Sequence, residues 1–190
     1  MRIRRFVTCA VLLAAGWSCA GNDSPADGPL TGSLPGEVGV PVEVGQVVSV
    51  GYASLFNPEK AEARVEGVRL LPPDRIELVE VRTELLPRDG GGIISLPEFP
   101  PKDHPSRPLA EQNVVAGVVP RSPGEPEPNL QFILGVRTRR PGVTLTDEVE
   151  VTYTVGKRRF VEALPVKIIL CAPAAPYVKG CDQFTQPKPE

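Results

Sequence analysis

Histidine, methionine and tryptophan each occur once in this chain of 190 residues, and aromatic residues make up 5% of it. A single histidine excludes multi-histidine metal centres and leaves little from which to build a histidine-activated nucleophile. Long apolar runs are missing too: the uncharged apolar stretch Phe6–Trp17 is about a dozen residues, against roughly 20 for a membrane-spanning helix. No stretch of ten residues repeats with helical period. Nor does either sign of charge dominate, with 21 basic and 23 acidic residues and a net of −2. That balance leaves no electrostatic footprint for nucleic acid.

What is present begins at the N-terminus. Arg2, Arg4 and Arg5 precede the apolar run, and small residues follow it. A basic head, a short apolar core and small residues describe an export signal, which we place at 1–18. Cys19 has two readings. It resembles the lipid-modified cysteine of bacterial lipoproteins, where cleavage falls just before Cys, a diacylglycerol is attached to sulfur, and a small residue such as Ser18 precedes. The other reading is ordinary cleavage after Ala20, because Ser18 and Ala20 form a small-x-small pattern. Residues 20–45, rich in Gly, Pro, Ser and Asp, have the composition of a flexible tether. A leash suits a chain fixed at one end, which favours lipid on Cys19. Loss of the three signal arginines leaves 18 basic against 23 acidic residues, a net of −5 for the exported part.

Of four cysteines, Cys9 and Cys19 lie in the signal region, which leaves Cys171 and Cys181. On the oxidising side of a membrane such a pair becomes a disulfide. Its loop contains Pro173, Pro176 and Gly180, and closing it contributes roughly 2–3 kcal/mol. The sequence offers no metal set and calls for no cofactor.

Between tether and disulfide, 23 prolines and 18 glycines punctuate short alternating runs. Strands are expected across Val48–Phe56, Ala63–Leu71 and Ile76–Leu86, the last with a bulge where the apolar parity changes between Leu78 and Val79. Val114–Val119 and Leu130–Val136 supply two more. Val149–Val155 and the run from Phe160 to Leu170 flank Gly156-Lys157, which suits a type II′ hairpin. Glu162 interrupts the apolar face of the second of these, which places its first part at a sheet edge. About seven strands without βαβ alternation predict an all-β, antiparallel immunoglobulin-like β-sandwich. It occupies 46–172, after the signal and a disordered tether at 19–45, and before a C-terminal tail at 173–190.

In this organisation of signal with Cys19, tether and single sandwich, the chain resembles exported lipoprotein-like proteins of high-GC Gram-positive bacteria. The resemblance implies location and architecture, and no activity.

Other features have plain explanations. Asp89-Gly90-Gly91-Gly92 lacks the downstream Gly-Lys-Ser/Thr of a phosphate loop. Pro97–Pro108, with His104, reads as a stiff crossover between strands and a solvated histidine. Pro120–Pro128 reads the same way. Arg137-Thr138-Arg139-Arg140 and Lys157-Arg158-Arg159 bracket one strand, which puts them at opposite ends of the sandwich as solvated turn charges. Asp147 and Glu148 are neighbours on a strand and point to opposite faces. The expectation is therefore a non-catalytic envelope lipoprotein on the extracytoplasmic face of the cell membrane. It contacts the membrane through its lipid and binds a protein or cell-wall partner. The alternative is a secreted, non-lipidated hydrolase using paired carboxylates.

Overall fold

Short runs that alternate apolar and polar residues, cut by Pro and Gly, build this chain out of strands. The computed structural model describes residues 28–32, 35–56, 62–86, 95–109, 114–115 and 129–173. The first strands are β1 (Thr31–Gly32), β2 (Gly36–Pro41), β3 (Val48–Val50), β4 (Ser54–Phe56), β5 (Ala63–Leu71) and β6 (Glu77–Leu85). Three two-residue strands follow: β7 (Ser95–Leu96), β8 (Arg107–Pro108) and β9 (Val114–Val115). The C-terminal part adds β10 (Asn129–Arg137), β11 (Gly142–Thr146), β12 (Glu148–Val155), β13 (Arg158–Leu164) and β14 (Val166–Ala172). No helix occurs among the described residues.

The first sheet is built on β10, which pairs antiparallel with β6 on one flank and with β3 and β4 on the other. In the second sheet β12 lies between β13 and β5, with β9 at the far edge. The third carries β14 between β11 and β2. Count the main strands in chain order as A to G: β2, β3 with β4, β5, β6, β10, β12, and β13 continuing as β14. Strands B, E and D then share one sheet and C, F and G the other. This is the partition of an immunoglobulin-like sandwich. The last strand is divided at Pro165, and its second half leaves β12 to pair with β11 and β2.

The core lies between these sheets. Leu130, Phe132, Leu134 and Val136 of β10 face Val149, Val151 and Tyr153 of β12, and Ile168 and Leu170 of β14 join the same buried cluster. The expected hairpin is present: Val155 pairs with Arg158 across two residues, with φ +60 at Gly156 and no non-glycine residue at positive φ. Those are the dihedrals of a type II′ turn. The expected bulge is present as well. Gly135 pairs with Glu80 and Val136 with Leu78, so Val79 has no partner in the ladder. β13 forms an edge of its sheet, as Glu162 predicts.

One expectation needs correction. The tether placed at 19–45 does not hold for its C-terminal part, because β2 runs parallel to β14 over Gly36–Pro41. Leu30, Val38, Val40 and Val42 are all buried in the core. Each such side chain stabilises by about 1.5–3 kcal/mol, enough to outweigh the Gly and Pro content around them. The expected crossover is present over residues 97–106 and is firmly fastened. It passes from β7, paired with β3, to β8, paired with β6. On the way the Phe99 ring covers Gly135 of β10, where a Cβ would lie 2.8 Å from it. Ser49 Oγ donates to Glu98 O at 2.6 Å, and Arg82 Nη2 to Ser106 O at 2.8 Å.

Candidate functional site

At one end of the sandwich the sheets part around a groove of about 430 Å3. Its walls come from three places in the sequence. β5 supplies Val68, Arg69 and Leu70; the turn after it supplies Pro73, Asp74, Arg75 and Ile76; Glu77, Leu78, Arg139 and Arg140 complete the lining. Pro72-Pro73 cannot continue a ladder, so β5 stops there and the chain reverses. Ile76, 1% exposed, pins the turn into the core. The carbonyl of Leu71 accepts from Thr146 Oγ1 at 2.5 Å and from Asp147 N at 2.9 Å, which fastens the end of β5 to the start of β12. Across the groove, buried Thr138 fixes the other wall. Its Oγ1 donates to Arg140 O at 3.1 Å, and its carbonyl accepts from Gly45 N at 2.8 Å.

The charges at this end are arranged in pairs. Arg69 grips Glu150 of β12 through two bonds, Nε to Oε1 at 2.6 Å and Nη2 to Oε2 at 2.8 Å. Glu77 receives two arginines. Arg137 Nη2 donates to Oε1 at 2.6 Å and Nε to Oε2 at 3.0 Å, while Arg139 Nε donates to Oε2 at 2.5 Å. Hydrogen bonds from Arg137 and then Arg139 hold the Glu77 carboxyl down at about 2. Arg75 and Arg140, by contrast, make no side-chain ion pair or hydrogen bond with any described residue. The lining of the groove itself carries four guanidinium groups (Arg69, Arg75, Arg139, Arg140) and two carboxylates (Asp74, Glu77), a net of +2. The groove thus offers cationic forks over an aliphatic floor of Val68, Pro73 and Leu78, with its own glutamate held as an anion.

The residues singled out from sequence are scattered. Cys19, Cys181 and Asp89–Gly92 lie outside the described residues. Cys171 is the penultimate residue of β14, 2% exposed, and packs with Ile169 and Leu145. His104 is not simply solvated, as expected: its Nδ1 is 3.5 Å from Oε2 of Glu84, whose side chain is 8% exposed. Arg158 stacks 5.0 Å over the Phe160 ring and Arg159 Nε reaches Glu66 Oε2 at 3.1 Å, so these are partnered charges as well. The two basic clusters do occupy the two ends of β12, as its length requires. The sequence reading missed Arg69, Arg75 and Glu77 as members of one site, and it took Arg137–Arg140 for solvated turn charge. The only local signal was the Pro-Pro-Asp-Arg turn. No group of three or more metal-ligating side chains occurs among the described residues.

No protein-family model and no curated protein sequence matches the chain. Among solved structures it is similar to the VesB protease of Vibrio cholerae (TM-score 0.41, 9% identity), over 75% of this chain and 32% of the protease. It therefore spans about a third of that protein. A PapD-like domain of human CEP192 gives a TM-score of 0.38 at 7% identity, covering 90% of this chain and 96% of the domain. The CooA pilin subunit of enterotoxigenic Escherichia coli gives 0.32 at 7%, over 76% and 99%. Likenesses this distant carry nothing about activity.

Proposed function

We propose that the chain is a non-catalytic protein of the cell envelope: a β-sandwich held at the outer face of the membrane by lipid on Cys19, with the arginine-lined groove as its binding surface. The anchor is supported by the basic head, the short apolar run and the small residue before Cys19. Binding rather than acid–base catalysis is supported by Glu77, whose two carboxylate oxygens are both occupied by guanidinium donors from Arg137 and Arg139. The observation that carries the reading is the composition of the groove. It has two guanidinium groups without partners among the described residues, beside Arg69, Glu77 and Arg139, which are paired. Cys171 and Cys181 complete the proposal as a structural disulfide, supported by a Cys171 sulfur that is bonded rather than titratable.

Intact-mass analysis of the processed protein tests anchor and disulfide together. The expected product begins at Cys19, carries acyl-lipid mass, and is two hydrogens lighter than its dithiol form. Cys19→Ala should release the protein from membrane to medium or leave it unprocessed. A lipid-free chain starting at Gly21 would overturn the anchor. Affinity capture from the protein's own membranes tests the groove: partners held by the wild type should be lost from Arg75→Ala/Arg140→Ala.

A further inference from the structure

Building on the reading of the groove as a binding surface, we propose that it recognises a phosphate monoester, borne by a molecule with a carbon skeleton of about glycerol or monosaccharide size. The argument starts from charge. Arg69 is neutralised by Glu150, and Glu77 by one of its two arginines. Of the lining side chains, Arg75, Arg139 and Arg140 then remain with Asp74 opposing them, which leaves +2 on the lining. A phosphate monoester carries about −1.5 to −2 at pH 7, whereas a carboxylate or a phosphodiester carries −1. The monoester is the group that discharges the site.

Geometry agrees. A guanidinium presents parallel N–H donors at the spacing of two phosphate oxygens, and no described residue occupies that fork in Arg75 or Arg140. Arg69 and Arg139 already hold carboxylates, so their side chains are partly ordered before a ligand arrives. A volume of about 430 Å3 exceeds a bare phosphate and lies near the lower end of small-molecule sites. The space left over faces Val68, Pro73 and Leu78, aliphatic surface suited to carbon rather than to a second charge.

Glycerol 3-phosphate titrated into the detergent-purified, full-length processed protein is the direct test, followed by calorimetry and by amide shifts of residues 68–78 and 139–140. The expected result is saturable binding that weakens with added salt. It should fall at least tenfold in Arg75→Ala/Arg140→Ala and also in Arg75→Lys/Arg140→Lys, which keeps the charge but removes the forks. Arg158→Ala/Arg159→Ala, at the other end of β12, should bind normally and controls for general charge loss. Acetate or sulfate binding as tightly as glycerol 3-phosphate would overturn the monoester assignment. So would equal binding by the lysine variant.

A second arm separates sources of the same group. Phosphatidylcholine vesicles containing phosphatidic acid present the monoester on lipid, and recruitment through Arg75 and Arg140 would identify a headgroup. Binding confined to soluble glycerol 3-phosphate would identify a free or wall-borne ligand. Absence of phosphate binding, with partner capture still dependent on Arg75 and Arg140, would overturn the ligand class alone. If capture too ignores these residues, the groove reading falls with it.

Discussion

Glu77 and its two arginines make a proposition about protons. The carboxyl sits at about 2, well under its ordinary 4.5, because hydrogen bonds from Arg137 first and Arg139 second favour the anion. A group depressed on folding contributes its stabilisation fully above its unfolded value. That contribution is lost as pH falls from about 4.5 through about 2. Carbon-detected NMR of the Glu77 side chain should give a midpoint near 2 in the wild type, and a clearly higher one in Arg137→Ala. A midpoint near 4.5 in the wild type would refute the clamp. Gly135 makes a second residue-scale statement. A methyl group there would lie 2.8 Å from the Phe99 ring, so Gly135→Ala must push the crossover off β10. The expected cost in chemical denaturation is about 1–3 kcal/mol, the range for an overpacked contact. Gly135→Ala/Phe99→Ala should lose less than the two single changes summed, because the clash disappears with the ring.

Among the elements, β2 makes the boldest claim, since it adds a strand where composition indicates a leash. Gly36 N donates to Pro165 O at 3.1 Å and Val42 N to Cys171 O at 2.9 Å. These amides should exchange with solvent as slowly as those of β14. Exchange at the rate of a free peptide would return the segment to the tether. Strands whose signal is local were legible from sequence: β5 has the bounds that its alternation and the Pro72-Pro73 stop suggest, and Gly156-Lys157 turns where a tight hairpin requires. β2 was not legible, because its two alternating valines, Val38 and Val40, are diluted by Gly and Pro and its partner lies some 130 residues away. The groove was illegible for a related reason. Arg69, Arg75, Glu77 and Arg140 belong to different elements, and only pairing of β5 with β12 and of β6 with β10 assembles them. A run such as Arg137–Arg140 advertises charge, but carries no information about which distant carboxylate will consume it.

For the molecule as a whole, the sandwich sets the proposed anchor and the groove apart along one strand. The chain enters the domain beside Tyr153 and Phe160, where Leu30 N donates to Tyr153 Oη at 3.3 Å, nearer the hairpin end of β12. The groove lies toward the other end, where Glu150 holds Arg69. Leu30 is eleven residues from Cys19, a contour of at most about 40 Å. Eight residues of β12 add about 25 Å more. If Cys19 carries the proposed lipid, the hairpin with Lys157, Arg158 and Arg159 is turned toward the bilayer, and the groove is held aloft within about 65 Å of it. Altitude then becomes part of selectivity: a ligand is sampled only if it occupies that thin stratum, whatever its affinity for arginine.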